Sequence, residues 1–416
     1  MFTAVLPRIL ALLVPRFPSL GVLAVLALAG LPSVRGASTN SWTVILAEAR
    51  GQTVYWNAWG GDDRINAYIA WAAAEAKKRF GIEVRHVKLG DTSEAVSRVL
   101  AEKAAGNDDR GSVDLIWING ENFSAMKRHG LLHGPFVDRL PNFRFVDTVS
   151  KPTLVDFSVP VDGFEAPWSM AQFVFLYDSR RVGDPPTSAA ALLEWAKANP
   201  GRFSYPQPPD FLGTTFLKQI LLELATDRAP LYRSVDEHQF AAISAPLWAY
   251  LDELHPVSWR KGRVFPANGP AQTRQLADGE IDIALSFSPE AASSGIETGQ
   301  LPETVRTFVW KRGTLGNASF LAIPYNGRAK SGALVLVDFL LSPEAQARKA
   351  DPRHLGSPTV LSLDKLSPTD LMIFQALPKG KATPSLEELG TPVPELHPYW
   401  MDRLEKQWLT RYAAGR

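Results

Sequence analysis

The sequence predicts an α/β protein of two doubly wound lobes joined by hinge-crossing strands, and three observations carry that reading. Short apolar runs alternate with amphipathic segments along most of the chain, as in sheets covered by helices on both faces. The first clear unit, residues 52–89, reads as strand, helix and strand. Near Ala166 the pattern gives way to one long extended segment, and the alternation then begins again. The 416 residues allow two or three domains, and a hydrophobic content of 45% supports real cores.

The first 36 residues read as an export signal. Arg8 and Arg16 precede an apolar block at 20–31, and small residues near Val34 and Gly36 suit a signal peptidase. The block is short for a bilayer span, which needs about 20 apolar residues. Cleavage near residue 36 removes Arg8, Arg16 and Arg35 and no acid, so the formal charge falls from +1 to −2. That balance speaks against a nucleic-acid partner. The chain has no cysteine, so it has neither disulfides nor an attachment point for lipid, and a free periplasmic protein is expected in place of a tethered one.

In the first unit, Thr53-Val54-Tyr55-Trp56 is the strand and Asn57-Ala58-Trp59-Gly60-Gly61-Asp62-Asp63 the turn. Ile65, Ile69, Ala72, Ala76 and Phe80 then recur with a helical period. Asp62 or Asp63 serves as N-cap, because a carboxylate accepts first-turn amide hydrogens and opposes the helix dipole. Gly81 marks the stop, in the left-handed conformation that glycine adopts cheaply. A helix over 92–105 and an apolar strand over 113–119 follow, and the strand opens into Gly120-Glu121-Asn122. Ligands of such units sit at the loops after strand carboxyl ends. That rule selects Trp56, Asn57, Trp59, Gly60 and Gly61 from the first loop and Asn119, Glu121 and Asn122 from the third strand.

The extended segment at 166–178 contains Trp168, a hinge candidate. Ser188 to Asn199 reads as a helix with Leu192 and Trp195 inward, and Phe203-Ser204-Tyr205 as a strand. An apolar helix is expected over 214–225 and a buried strand over 282–288. The same rule selects Tyr205, Asp210, Phe211, Thr214, Phe287 and Ser288 from this half. Ser342 and Pro343 start a further helix as cap and first helical residue. Trp400, Leu404, Trp408 and Tyr412, four residues apart, make a core ridge.

Four stretches in this order resemble the substrate-binding proteins of bacterial ABC importers: residues 114–132, the pattern Tyr177-Asp178 to Leu192-Leu193-Glu194-Trp195, residues 201–217 and residues 320–346. The resemblance is to the larger two-lobed class that carries sugars, polyamines, thiamine or metal ions. It implies a first lobe of residues 37–167 and 319–350, and a second of 168–318 and 351–416 with the C-terminal helices. It also implies ligand capture in the inter-lobe cleft by hinge closure, with a permease and an ATPase as partners. Ferric-ion binding in this class resembles a site with adjacent tyrosines, which this chain lacks.

The solute's charge is open at this level. Trp56, Trp59, Trp168 and Phe211 with Glu121 and Asp210 favour an organic cation or zwitterion. Helices opened by Gly60-Gly61 and Gly213-Thr214-Thr215 suit an anion, and aromatic walls also suit a neutral sugar. A ligand sensor uncoupled from transport and a secreted hydrolase are the alternatives. Against the hydrolase, there is no Gly-x-Ser-x-Gly elbow, no His-Glu-x-x-His and no phosphate loop. Ser258-Trp259-Arg260-Lys261 and Ser362-Leu363-Asp364-Lys365 match Ser-x-x-Lys without its companion motifs, and glycines interrupt His129 and His133. No cofactor or metal is expected.

Overall fold

The computed structural model describes residues 41–378 and 380–413, and the export signal expected in residues 1–36 lies outside them. Helix α1 (Trp42–Ala49) leads into β1 (Thr53–Trp59), α2 (Asp63–Phe80) and β2 (Glu83–Leu89). The two strands pair in parallel from Thr53 opposite Glu83 to Trp59 opposite Leu89. Asp62 caps α2, its carboxylate accepting the amides of Arg64 at 2.8 Å and Ile65 at 3.1 Å. Gly81 ends α2 at φ 71°, returning its N–H to the Lys77 carbonyl at 3.0 Å.

Next come α3 (Ser93–Ala104), β3 (Leu115–Ile118) and α4 (Gly120–Arg128). Just before β3, the Asp114 carboxylate accepts amide hydrogens from Tyr55, Arg328 and Ala329 at 2.8–2.9 Å, clamping three segments together. A hairpin of β4 (Val155–Asp156) and β5 (Val159–Pro160) precedes β6 (Glu165–Gln172) and β7 (Val174–Asp178). The chain continues through α5 (Ala189–Ala198), α6 (Phe211–Leu224), α7 (Glu237–Leu254), α8 (Gly269–Ala277), β8 (Ile283–Ser286), α9 (Ala291–Glu297) and β9 (Val305–Phe308). It closes with β10 (Gly316–Ala322), α10 (Lys330–Leu340), α11 (Pro343–Ala350), α12 (Pro368–Gln375), α13 (Leu386–Leu389) and α14 (Pro398–Trp408). No helix among the described residues is long and apolar enough to cross a membrane.

Two sheets define two lobes. The first has the order β2-β1-β3-β10-β6, with β10 antiparallel to both of its neighbours. The second has the order β8-β7-β9, with β7 antiparallel to both. Strands β6 and β7 belong to different sheets and are separated only by Phe173, so the chain crosses there. It recrosses beside that point, because the Phe173 amide donates to the Leu315 carbonyl at 2.7 Å and β10 begins at the next residue. The return to the first lobe, expected at residue 319, therefore falls a few residues early. The antiparallel neighbours in both sheets come from these crossing strands, which must run against the strands they join.

The first lobe buries both faces of its sheet. Trp56, Ile69, Ala72, Ala76, Leu334 and Trp168 fill one side, and Val99, Ile116, Phe123, Met126 and Phe320 the other. In the second lobe Phe175 stacks on Trp310 at 4.8 Å, and Trp400, Leu404 and Trp408 of the expected ridge are completely buried with Phe216. Each such side chain contributes about 1.5–3 kcal/mol of burial, far more than helix propensity does, so α14 is held by packing. Leu355, Val360 and Leu361 pack into the first lobe, although residues from 351 onward were expected in the second; Ala382 and Leu389 return to the second.

Candidate functional site between the lobes

On the first lobe, the β1–α2 loop carries Trp59, half-buried, across Gly60 and Gly61. A Cβ on Gly60 would come within 2.6 Å of the Lys88 side chain, and one on Gly61 within 2.4 Å of the Trp59 ring. Packing therefore explains the two glycines. The first-turn amides of α2 are taken by Asp62, so this helix start does not offer them to an anion. The first turn of α4 adds Gly120, Glu121 and Asn122, with Asn119 just before it. Gly120 has φ 62°, and its amide donates to Asp156 Oδ2 at 2.7 Å. Asn122 Nδ2 donates to Glu121 Oε1 at 2.7 Å. Burial pushes the Glu121 carboxyl up to about 8, against the pull of the Lys218 charge.

On the second lobe, α6 starts three residues before the expected position, with Asp210 as its cap. The Asp210 carboxylate accepts the amides of Leu212 at 3.0 Å and Gly213 at 3.4 Å. Burial raises its carboxyl to about 6, and Asp91 of the first lobe adds to the rise. Phe211 meets Phe287 edge to face at 5.0 Å, both half-buried. Thr214 Oγ1 donates to Glu405 of α14 at 2.7 Å. Burial lifts the Glu405 carboxyl to about 7, and Asp91 again contributes. The Ser288 amide donates to Ser286 Oγ at 3.1 Å, shaping the loop before α9.

Three expected contacts belong to the cores instead. Trp56 is 0% exposed and packs edge to face on Trp168 at 5.6 Å, because strand alternation points it into the first lobe. Trp168 is sealed by Trp56 and by Trp117, 5.1 Å away. Tyr205 is sealed in the second lobe, its hydroxyl 2.7 Å from His255 Nε2 and accepting from Trp408 Nε1 at 2.8 Å. Asn57 is also buried, with its amide on the Tyr55 carbonyl at 3.2 Å. Asn122 and Thr214 are buried as well. The remaining candidates lie on two rims, and cross-lobe charge interactions tie Asp91 to Asp210 and Glu405, and Glu121 to Lys218 and Glu405.

Sequence reasoning missed Asp91, Asp156, Phe157, Lys218, Glu395 and Glu405. Lys218 left a signal, being the one charged residue in Thr214-Thr215-Phe216-Leu217-Lys218-Gln219-Ile220-Leu221-Leu222. Phe157 left none, because tight two-residue turns normally announce themselves by Asn-Gly or Asp-Gly.

Comparison with known proteins matches residues 71–371 to the model of a bacterial extracellular solute-binding protein. Protein YnjB of Escherichia coli strain K12 is 43% identical, over 93% of this chain and 98% of that one. Among solved structures, the spermidine/putrescine ABC transporter substrate-binding protein PotD of Streptococcus pneumoniae aligns with a TM-score of 0.60 at 14% identity, covering 87% of this chain and 98% of the other. The periplasmic binding protein AfuA of Actinobacillus pleuropneumoniae, solved with fructose-6-phosphate bound, gives a TM-score of 0.60 at 15% identity, covering 88% and 99%. At such identities the likeness shows the fold, two α/β lobes of the periplasmic binding protein kind.

Proposed function

Since this chain belongs to the bacterial extracellular solute-binding protein family, we propose that it captures a small organic solute between the two rims and delivers it to an ABC permease and its ATPase. In this reading it works in the periplasm as a monomer and binds without catalysis. Trp59, Gly60, Gly61, Asn119, Glu121 and Asn122 supply one rim, and Asp210, Phe211, Thr214, Phe287 and Ser288 the other.

The proposed solute is an organic cation or zwitterion. One observation carries that choice: the half-buried rings of Phe211 and Phe287, 5.0 Å apart, lie beside the Asp210 cap and the Glu405 carboxyl that Thr214 bonds, and Asp91 of the first lobe adds its charge to both carboxyls. Carboxylates that face each other across a closing gap repel, and a cation between them turns the repulsion into attraction. Such a ligand binds the closed form better than the open one, which is what drives closure. The faces of Trp59, Phe211 and Phe287 add about 0.5–2 kcal/mol each for a cation. The anionic reading has less support, since Asp62 and Asp210 occupy the helix starts it relies on. The fold itself is neutral on the matter, because it serves both a spermidine/putrescine protein and one holding a sugar phosphate.

The test is a thermal-shift panel of polyamines, thiamine derivatives, sugars and organic anions on the mature chain, followed by calorimetry. A ligand at about a hundred times its dissociation constant stabilises by roughly 2.7 kcal/mol. Cationic or zwitterionic members are expected to raise the melting temperature, and Trp59→Ala with Phe287→Ala to weaken binding at least about tenfold, or 1.4 kcal/mol. Stabilisation by anions alone would overturn the solute class.

A further inference from the structure

Beside the rims, the two lobes share a second feature built around Lys218. Its side chain is 1% exposed, and its ammonium lies 2.7 Å from Glu395 Oε2. The same nitrogen sits 4.5 Å from the centre of the Phe157 ring and 5.7 Å from that of Phe211. A carboxylate with two aromatic faces is the environment that selects an ammonium group. Lys218, Glu395 and Phe211 belong to the second lobe, whereas Phe157 is at the tip of the β4–β5 hairpin on the first. Next to it, Ser158 Oγ donates to the Glu395 carbonyl at 3.1 Å.

Several carboxyl groups surround this one buried lysine. Glu121 and Asp156 from the first lobe and Glu405 from the second each feel the Lys218 charge. Asp156 Oδ1 and Glu395 Oε1 are buried without a hydrogen-bond partner among the described residues, the two residues being 0% and 3% exposed. The tip is held at some cost. Phe157 and Ser158 have φ of 41° and 65°, the left-handed pair of a two-residue hairpin turn, without the glycine or asparagine that normally relieves it. Such strain persists only where packing over-determines it. Here Phe157 is 2% exposed, and Gly120 makes room for it, since a Cβ there would stand 2.9 Å from the ring.

We propose that Phe157, Phe211, Glu395, Glu121 and Asp156 form an ammonium-binding cage contributed by both lobes, and that Lys218 of the chain itself is its resident ligand. The internal cation pairs with Glu395 and ties the hairpin tip to the second lobe, so it biases the molecule toward closure before any solute arrives. The cage takes a primary alkylammonium whenever the lysine is shortened. The inference rests on the two-lobed solute-binding reading but not on the class of solute.

The experiment is chemical rescue of Lys218→Ala in the mature chain, with propylammonium chloride as probe and propanol as the uncharged control. X-ray scattering and thermal unfolding are the readouts. The variant is expected to be more open and less stable than wild type, and propylammonium, not propanol, to restore compactness and melting temperature; wild type should not respond. A folded variant that ignores propylammonium, or a wild type that responds equally, overturns the cage. If Lys218→Ala does not fold, Phe157→Leu decides: it keeps the lysine–glutamate pair and removes the first lobe's ring face. A more open scattering profile supports the tether, and an unchanged one overturns it. A wild type that binds a solute from the panel while its variant is not rescued loses only the cage. Rescue without any cationic solute in the panel counts only against the proposed solute class.

Discussion

Lys218 and Lys349 are both sealed from solvent and both lie against an aromatic face, yet they solve burial in opposite ways. Lys218 sits at the lobe boundary with Glu395 2.7 Å away, where the fold supplies the counter-charge. Lys349 sits inside the first lobe, 5.2 Å from the Trp168 ring centre, with no hydrogen-bond partner for its nitrogen among the described residues. Burial pushes the Lys349 amine well below the usual lysine range, and the nearby Lys151 charge pushes the same way. A buried ammonium thus survives where two lobes bring carboxylates to it. Within a single core, burial without a counter-charge disfavours the charged form instead.

The largest expected effect comes from removing the counter-charge. Glu395→Ala should cost about 3–5 kcal/mol in urea unfolding, because it strands a buried cation. A loss under about 1 kcal/mol would mean that Asp156 or Glu121 gives up its proton to replace it, and the contrast would then rest on that exchange and not on Glu395 alone.

A middle-sized effect concerns pH. The carboxyls of Glu121 and Asp156 are both raised to about 8 by burial, so the folded chain keeps protons that the unfolded chain has already lost above its ordinary carboxyl values of 4.5 and 3.8. That stability is fully present in acid and is lost as pH rises through about 8. Melting curves should accordingly show a fall of about 3–6 °C between mildly acidic and mildly alkaline buffer. With the opposing Lys349 contribution removed by Lys349→Met, a flat or rising profile there would remove the buried protons from the account.

The smallest effect is Lys349→Met, expected within about 1.5 kcal/mol of wild type and of either sign, since no pair is broken and volume is nearly kept. Its pH signature is the sharper readout. Because the folded amine titrates below the ordinary 10.5, the unfolded chain binds a proton that the folded chain refuses, and stability rises with pH up to that value. Lys349→Met should flatten this rise above the carboxyl range.

The fold was largely legible because its signals are local. Asp62 and Gly81 bound α2 as cap and stop, Ser342 and Pro343 open α11, and the four-residue spacing of Trp400, Leu404 and Trp408 gave the buried ridge. The site was less so. Asp210 stood out as a loop acid, yet its carboxylate is spent partly on capping α6; Trp56, Trp168 and Tyr205 stood out as aromatics, yet they fill cores. A loop position tells which edge of a sheet a residue occupies, and strand alternation tells which face. Neither tells whether the opposing lobe is within reach.

What the residues determined by themselves is therefore the pair of α/β lobes and the rims that carry their loops, since helix caps, periodicity and apolar runs act between neighbours in sequence. Tertiary structure alone decided that Phe157 meets Lys218, that Asp91 opposes Asp210, and that Lys349 is left against Trp168. Those contacts join segments 60 to nearly 200 residues apart. Their energies depend on burial and on distances of a few ångströms, quantities that exist only once both lobes have folded and met.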